Sequence, residues 1–257
     1  MQYAWSAAAP LSTKLGHFFR GCGLNVLEGY GLTETSPATN SNTPDAQKIG
    51  TVGRPIPGCT IRIAPDGEVL VKGHMVFQGY WNNDSATKEM IDSDGWLHTG
   101  DTGALDDEGF LAITGRKKDL IITAAGKNVA PAVLEDRLRA HWLVSQCLIV
   151  GEARPFIAAL VAIDPETFVQ WKADHGQPQT ATIAGLRDDP ALRAEIQAAI
   201  DDANQAVSRA EAIKKFALLD QDFTEAGGQL TPTLKVRRHV IMKQYAVQID
   251  ALYEERP

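Results

Sequence analysis

The pattern of apolar and polar residues changes near Arg116, and this change limits the possible folds of the chain more than any other feature. Before that point, between about Thr51 and Gly115, short alternating runs flank acidic, glycine-containing turns. TIRIA and EVLVK enclose the turn PDG, and GALDDEGFLAIT repeats the arrangement. Two alternating runs around Asp-Gly predict a β-hairpin, and several short strands with tight turns predict a small antiparallel sheet or barrel. The intervening NDSATKEMI predicts a short helix capped by Asp84.

After Arg116, apolar runs alternate with amphipathic segments. DLIIT, VSQCLIVG, FIAALVAI and KKFALLD predict strands, and RRHVIMKQYAVQIDALY predicts a closing helix. Pro131 begins a helix with an apolar spacing typical of a buried face. PALRAEIQAAIDDANQAVSR predicts a long helix. The apolar residues of these two helices are Val133, Leu134 and Leu138 in the first, and Leu192, Ile196, Ile200, Ala203 and Val207 in the second.

The different residue patterns before and after Arg116 predict two domains. Residues 1–115 combine a strand-and-helix piece of α/β type with a small antiparallel β subdomain, and residues 116–257 form a compact α+β domain of ordinary size. In the first domain Ser12 can cap a helix, STKLGHFFR, with Leu15, Phe18 and Phe19 on helical spacing. LNVLEGY is a plausible buried strand that runs into YGLTETSP. Such a strand-to-turn junction commonly presents side chains at a sheet edge.

Composition narrows the functional classes. The 257 residues carry a net charge of −7, so no general nucleic-acid footprint is expected. Three widely spaced cysteines show no paired metal spacing, which favours reduced thiols and a cytoplasmic setting. The start has no signal-peptide pattern, and no apolar run approaches the ~20 residues of a membrane span. Contact with a membrane surface and the oligomeric state stay open.

Three stretches carry groups suited to nucleotide chemistry. In YGLTETSP, Tyr30 can stack on a base, Thr33 can donate to phosphate, and Glu34 can hold Mg²⁺ against phosphates. In HTGD, Asp101 can accept hydrogen bonds from both hydroxyls of a ribose. In GRKKD, Arg116 is a planar donor suited to ribose oxygens or phosphate. Taken singly, each stretch is more often turn chemistry or a solvated charge run.

Two later stretches contain candidate residues on loops. AAGKNVAP lacks the upstream glycine and the following Ser/Thr of a phosphate-binding loop, so that interpretation is rejected. In LTPTLKVRR, Pro232 bars a regular helix, so Lys235 lies on an extended or looped segment. Arg237, Arg238 and Lys215 predict a solvated basic surface, with the phosphates of a ligand as the alternative partner.

The order of these motifs resembles that of the adenylate-forming, AMP-binding enzymes, which include acyl-CoA synthetases, luciferases and peptide-synthetase adenylation domains. LEGYGLTET, GYWNN, GWLHTGD, GRKKDLIITAAGKNVAP and LTPTLKVRR look most like the long-chain fatty acid–CoA ligase branch. The resemblance covers nearly the whole chain. It implies the end of a large N-terminal domain followed by a small C-terminal lid domain.

The resemblance also implies roles for single residues. Tyr30 would lie on adenine, Thr33 at the α-phosphate, Glu34 on Mg²⁺, and Asp101 on the ribose diol. Arg116 would join this nucleotide site. In the following segments, Lys118 would be the hinge between the domains, Gly126 would line the pantetheine channel, and Lys235 would be the catalytic lysine.

The implied activity joins a fatty acid to CoA with ATP and Mg²⁺, releasing AMP and pyrophosphate.

The sequence departs from the pattern of the resembled family in two places. No Ser/Thr/Gly-rich phosphate loop occurs in these 257 residues, so the chain resembles the C-terminal portion of a ligase and is expected to be inactive alone. Ala7-Ala8-Ala9-Pro10 stands where the family has G-G-A-P. The alternatives are an acyl-adenylate ligase that loads a carrier protein and a non-catalytic nucleotide- or CoA-binding module.

Overall fold

In the computed structural model, which describes residues 3–9 and 11–254, the chain divides into two units at Asp119/Leu120. The first unit begins with a mixed four-stranded sheet in the order β1-β2-β3-β4. β1 and β2 run parallel, and the other pairings are antiparallel. The strands are β1 (Tyr3–Ser6), β2 (Asn25–Tyr30), β3 (Asn40–Ser41) and β4 (Arg54–Pro55).

Helix α1 (Thr13–Gly21) connects the two parallel strands. Ser12 occupies the N-cap position as predicted, but its side chain makes no capping hydrogen bond. Leu15 and Phe18 are 48% and 61% exposed, so the predicted apolar face of this helix is largely uncovered. Ala8 has a φ of 70° in the turn before the helix, where alanine is strained. Pro10, the last residue of the Ala-rich segment, lies outside the described residues.

The second sheet of this unit confirms both predicted hairpins. Its four antiparallel strands lie side by side in chain order and form a single sheet. Val69, Val71, Leu97 and Leu111 form its buried core because alternate residues face the same side. The strands are β5 (Cys59–Ile63), β6 (Glu68–Gly73), β7 (Leu97–Leu105) and β8 (Leu111–Arg116).

Helix α2 (Asp84–Met90) lies between these hairpins, but the predicted cap was wrong by one residue. Asn83 is the N-cap, and its side-chain oxygen accepts a hydrogen bond from the Ala86 N–H at 3.2 Å. Asp84 is instead the first helical residue, where its charge favours the positive end of the helix dipole.

The second unit contains a two-stranded ribbon and a three-stranded sheet in the order β11-β12-β13. The predicted strand DLIIT shortens to two residues. β11 pairs antiparallel with β12, and β12 pairs parallel with β13. The strands are β9 (Ile121–Ile122), β10 (Asn128–Val129), β11 (Val144–Val150), β12 (Ile157–Ile163) and β13 (Ile213–Leu218).

Helices cover both faces of the three-stranded sheet, which is why its central strand β12 is apolar throughout. On one face Val161 and Ile163 pack with Leu134, Ile196 and Trp171. On the other face Ala158 and Leu160 belong to a separate core with residues of the last two helices. The helices are α3 (Pro131–Arg139), α4 (Pro165–Asp174), α5 (Ile183–Leu186), α6 (Pro190–Asn204), α7 (Arg238–Gln244) and α8 (Ala246–Tyr253).

Two helix predictions in this unit need correction, and helix α4 was missed. The closing helix is broken at Tyr245 into α7 and α8, whose backbone there leaves the helical range. Helix α6 ends at Asn204, so Val207 packs against the core from the following turn. Helix α4 was not predicted, although Asp164 before Pro165 is a clear start signal and its carboxylate caps two N–H groups. Within the described part of the chain, no helix has both the length and the apolar character of a bilayer span.

Candidate functional site

Three of the predicted nucleotide residues meet in the first unit. Tyr30 ends β2, while Asp101 on β7 stands directly opposite Arg116 at the end of β8. The Tyr30 hydroxyl donates to Asp101 Oδ2 at 2.6 Å, and Arg116 Nε lies 3.0 Å from Asp101 Oδ1. Strand pairing brings Asp101 and Arg116 together, and a hydrogen bond from the other sheet of the unit adds Tyr30 to the cluster.

Burial shapes the chemistry of this cluster. Asp101 is only 4% exposed, whereas about half of the Arg116 side chain is open to solvent. Burial raises the pKa of Tyr30, and the adjacent Asp101 carboxylate raises it further. The phenol therefore stays protonated and remains a hydrogen-bond donor. Each carboxylate oxygen accepts more than one hydrogen bond, so Asp101 keeps capacity for additional hydroxyl donors.

A tight turn after β2 presents Thr33 and Glu34. These residues form a short 3-10 helix, Thr33–Thr35, whose Thr35 hydroxyl is buried and accepts from the Leu32 N–H at 2.8 Å. A Cβ at Gly31 would lie 1.7 Å from the Pro37 carbonyl oxygen, so only glycine fits there. The turn leaves the Thr33 side chain exposed.

Glu34 is held by a residue that no motif argument singled out. The Tyr80 hydroxyl donates to Glu34 Oε1 at 2.7 Å, and the Phe77 N–H donates to the Glu34 carbonyl oxygen at 2.8 Å. The carboxylate is half-buried and keeps one oxygen free of this bond. Tyr80 lies in GYWNN, so the motif was visible, but its partner 46 residues away was not.

Glu34 also fits the implied Mg²⁺, since this ion prefers oxygen ligands and usually binds through one or two carboxylates plus substrate phosphates and water. Across residues 3–9 and 11–254, no group of three or more His, Cys, Asp or Glu side chains could by itself hold a metal ion. A single carboxylate suits a metal that arrives with a phosphorylated substrate.

Backbone geometry shapes the turn that carries Asp101. Gly100 has a φ of 68°, which glycine adopts without strain. The Thr99 hydroxyl donates to the Val69 carbonyl at 2.7 Å and accepts from the Asp101 N–H at 3.1 Å. Glu68 accepts from the Gly100 N–H at 2.9 Å. The turn at Asp101 is therefore fixed by one local hydrogen bond and by two bonds to β6, from Thr99 to Val69 and from Gly100 to Glu68.

The proposed hinge residue, Lys118, is the middle residue of a short 3-10 helix, Lys117–Asp119, at the end of the first unit. Lys117 Nζ lies 2.6 Å from Asp66 Oδ2 and 3.0 Å from Glu68 Oε2. Lys118 is exposed. Its side chain makes no hydrogen bond or ion pair within the part of the chain that the structure describes.

Gly126, in the second unit, lies in the turn between β9 and β10. Its φ is 75°, and its N–H donates to the Thr123 carbonyl at 2.8 Å. Beyond this turn lies an open cavity of about 320 Å³. The Lys127–Glu211 ion pair, 3.3 Å between Nζ and Oε1, lies beside it. The lining residues are Val129, Ala130, Val133, Gln205, Ala206, Val207, Ser208 and Glu211.

Lys235, also in the second unit, lies on a tight non-helical loop, as Pro232 predicted. The Thr231 N–H donates to the Lys235 carbonyl at 2.9 Å, and the Lys235 N–H donates to the Thr231 hydroxyl at 3.0 Å. Leu234, with a φ of 60°, turns the chain. The exposed Lys235 ammonium has no bonding partner among residues 3–9 and 11–254.

Arg238 corrects the expectation of a solvated basic surface. Its guanidinium bonds to Glu135 Oε1 and to the Ile149 carbonyl, each at 2.5 Å, and its side chain is 21% exposed. Glu135 in turn accepts from the Ile149 N–H at 2.9 Å. This partly buried ion pair fastens the loop that carries Lys235 to α3 and β11.

The sequence-predicted residues thus fall into two groups. Tyr30, Asp101 and Arg116 form one bonded cluster, and Glu34 has its own partner in the same unit. Gly126 and Lys235 occupy separate loops of the second unit. Sequence reasoning missed the supporting roles of Glu68, Tyr80 and Arg238.

Family models match most of the chain. Residues 1–81 match a model described as AMP-binding enzyme, and residues 118–257 match one described as AMP-binding enzyme C-terminal domain.

Curated relatives include long-chain-fatty-acid–CoA ligase FadD15 of Mycobacterium bovis, 56% identical over 252 residues. That alignment covers 98% of this chain and 42% of the relative. The putative fatty-acid–CoA ligase fadD11 of Mycobacterium tuberculosis is 38% identical, with 100% and 45% covered. Long-chain-fatty-acid–CoA ligase ACSBG1 of Bos taurus is 35% identical, with 97% and 37% covered. The chain therefore spans less than half the length of these relatives.

Solved structures share the fold. The adenylation domain of a carboxylate reductase from Mycobacterium chelonae aligns with a TM-score of 0.76 at 24% identity, covering 98% of this chain and 38% of that one. Apo MatB from Rhodopseudomonas palustris aligns with a TM-score of 0.63 at 27% identity, covering 95% and 45%. Because a family model spans more than half of its residues, this chain belongs to the AMP-binding enzymes and includes their C-terminal domain.

Proposed function

We propose that this chain is the nucleotide- and CoA-handling portion of a long-chain fatty acid–CoA ligase. The reaction is fatty acid plus ATP plus CoA to acyl-CoA, AMP and pyrophosphate, through an acyl-adenylate. The names of the relatives support the substrate class. The observation that carries the proposal is the Tyr30–Asp101–Arg116 cluster, which joins aromatic, carboxylate and guanidinium groups suited to a mononucleotide.

In the first half-reaction, the fatty acid carboxylate attacks the α-phosphorus of ATP and pyrophosphate leaves. Negative charge grows on the phosphoryl oxygens, so fixed donors and cations lower the barrier. The exposed Thr33 hydroxyl donates at the α-phosphate, and the unpaired Lys235 ammonium bridges carboxylate and phosphate. Glu34 would hold Mg²⁺, which neutralises phosphate charge when bound.

The nucleoside is held by the cluster of the first unit. Asp101 accepts from the ribose hydroxyls while Tyr30 and Arg116 keep its carboxylate oriented. Arg116, half exposed, also has donors free for ribose or phosphate. Tyr30 presents its ring to adenine.

In the second half-reaction, the CoA thiol attacks the acyl carbonyl and AMP leaves. We propose residues 1–115 as the end of the large domain and residues 116–257 as the lid, with a pivot at Lys118. Rotation there removes Lys235 and brings in the Gly126 turn, which guides the pantetheine arm. One lid thereby serves two chemical steps.

Two alternatives make different predictions. An acyl-adenylate ligase would pass the acyl group to a carrier-protein thiol, so it would turn over with that carrier and not with CoA. A binding module would hold AMP or CoA without turnover in any longer context. Because the sequence contains no Ser/Thr/Gly-rich phosphate loop, we expect the chain alone to bind AMP with little or no ligation of palmitate to CoA.

Calorimetry with AMP tests the site directly. Asp101→Asn should weaken AMP binding at least tenfold, because a neutral amide accepts ribose hydrogen bonds less strongly than a carboxylate. Asp107→Asn is the matched control, since Asp107 is an exposed carboxylate on the β7–β8 turn. Equal AMP affinity in the wild type and both variants would remove Asp101 from the nucleotide site. Circular dichroism of each variant separates loss of binding from loss of fold.

A further inference from the structure

Glu68 is a buried carboxylate that begins the hairpin run EVLVK but belongs to none of the candidate nucleotide or CoA motifs. It begins β6 and is 4% exposed. Its Oε1 accepts from the Gly100 N–H at 2.9 Å. Its Oε2 lies 3.1 Å from His98 Nδ1 and 3.0 Å from Lys117 Nζ. One side chain therefore contacts residues 30, 32 and 49 positions away in the sequence.

The two oxygens of the Glu68 carboxylate contact segments that carry candidate functional residues. Gly100 precedes Asp101 and sets its turn through a positive φ. Lys117 follows Arg116, which pairs with Asp101, and precedes Lys118. Glu68 therefore links the turn that presents Asp101 with the backbone that leads out of the first unit.

The energetics of burial make this link strong. A buried carboxylate without partners is costly, so Glu68 depends on its three donors. Lys117 is the donor with a full permanent charge among them. Its second partner, Asp66, is 51% exposed and contributes little, because solvent screens surface ion pairs. Lys117 is therefore shared by two carboxylates, of which the buried Glu68 is the one that most needs a compensating charge.

We infer that Glu68 is a positioning residue that couples the Asp101 turn to the segment entering the hinge. It keeps Lys117 with the first unit, so rotation begins at Lys118 and not earlier. The rotation at Lys118 rests on the proposed function. The coupling itself is a property of the ligand-free chain.

A double-mutant cycle read by amide hydrogen exchange tests the coupling without ligand. Glu68→Gln keeps the shape of the side chain and an acceptor for the Gly100 N–H, but it removes the charge facing Lys117. Lys117→Met removes the opposite charge. We expect Lys117→Met to speed exchange of the Gly100 amide about tenfold in the wild-type background and less than twofold in Glu68→Gln. Equal acceleration in both backgrounds, or none in the wild type, would overturn the inference.

Two further variants complete this experiment. Lys88→Met is the matched control, because Lys88 is an exposed lysine on α2 of the same unit, and it should leave the Gly100 amide unchanged. Lys117→Arg should retain the slow exchange, since it keeps the charge. If Glu68→Gln does not fold, the Met and Arg variants of Lys117 still decide the matter. Equal exchange in those two would contradict the coupling.

Added AMP separates the coupling from the proposed function. In the wild-type chain, AMP should slow exchange of the amides of residues 117–119, and Glu68→Gln should abolish that effect while AMP still binds. Persistent protection in Glu68→Gln would contradict the inference. Absence of AMP binding together with an intact double-mutant coupling would instead support the inference and count against the nucleotide site.

Discussion

Tyr30 Oη and Asp101 Oδ2 lie 2.6 Å apart, although 71 residues separate them in the sequence. The bond joins the end of β2 in the first sheet to β7 in the second sheet of the same unit. It occupies one oxygen of the carboxylate that we propose for the ribose, and Arg116 occupies the other. The tyrosine is thus part of the carboxylate's support as well as a surface for a base.

Tyr30→Phe tests this support. The variant keeps the ring but removes a hydrogen bond to a buried carboxylate, which is worth about 1.5–3 kcal/mol. We expect a loss of about 2 kcal/mol in the free energy of unfolding and weaker AMP binding. Tyr3→Phe, at an exposed tyrosine of β1, should change neither quantity. Chemical denaturation measures the free energy of unfolding, and calorimetry measures AMP binding. An unfolding free energy equal to that of the wild type would show that the Tyr30–Asp101 bond contributes no net stability.

The acid sensitivity of the first unit should depend on Glu68. Burial raises the pKa of Glu68, but Lys117, His98 and the Gly100 N–H outweigh it, so the pKa lies below its ordinary value. A carboxylate with a lowered folded-state pKa stabilises fully above its unfolded value of about 4.3 and loses that contribution as pH falls through the folded value.

The measurement is the unfolding free energy of wild type and Glu68→Gln from pH 7 downward. Below about pH 4.3 the wild type should lose stability more steeply than the variant, because only the wild type must protonate this group. Glu89→Gln, at an exposed glutamate of α2, should follow the wild-type curve. Parallel curves for Glu68→Gln and wild type would contradict the assigned linkage.

Ala8→Gly should stabilise the chain. Ala8 has a φ of 70°, which costs an L-residue about 1–2 kcal/mol, while glycine adds about 0.4–1 kcal/mol of unfolded-state entropy. The net gain is about 0.5 kcal/mol. Ala7→Gly, one residue earlier and without a positive φ, should destabilise slightly. Thermal denaturation compares them, and a loss of stability in both variants would refute strain at Ala8.

Arg238→Met should strongly destabilise the second unit. Among the residues that the structure describes, it leaves the Glu135 side chain, which is 12% exposed, with the Ile149 N–H as its one remaining partner. Removing one member of such a buried pair costs about 3 kcal/mol. Arg237→Met at the exposed neighbour should cost under about 0.5 kcal/mol. Denaturant unfolding distinguishes them, and pairing Arg238→Met with Glu135→Met should recover part of the loss. Similar costs at both arginines would mean that the ion pair is not structural.

Lys235→Ala tests the proposed lysine in a ligase that contains this chain. Adenylate formation, followed by pyrophosphate exchange, should fall at least a hundredfold, because a positioned cation facing phosphoryl oxygens contributes on the order of 3 kcal/mol. Thioester formation from supplied acyl-adenylate should be nearly unchanged. Lys243→Ala, at an exposed lysine of α7, serves as the control. Equal loss in both half-reactions would contradict a role confined to the first.

Local patterns predicted the hairpins, because Asp-Gly turns and alternation specify their geometry within a few residues. The continuous apolar run FIAALVAI likewise predicted a buried strand, and every residue of β12 is buried. Glu68 and Arg238 could not be recognised in this way, since each is defined by partners 30 or more positions away. A charged residue beside a turn or in a basic run usually stays solvated, and only tertiary pairing changes that.

The break at Tyr245 shows the same limit for helices. The periodic pattern of α7 and α8 continues through it, so the sequence predicts one helix. The structure divides it, and Ile241 and Ile249 pack into the same core from two shorter segments. Packing demand therefore outweighed local propensity at this position.

Because Arg238 bonds to Glu135 and to Ile149, the nearby Lys235 lies on a constrained loop. A hydrogen bond from the Lys235 N–H to Thr231 closes the loop, and Arg238 attaches its end to α3 and β11. The Lys235 ammonium therefore moves mainly by rotation of its own side chain. Any large displacement must come from the unit moving as a body. The conformational entropy of that loop is therefore lost once, when the chain folds, and would not be lost again on binding a ligand.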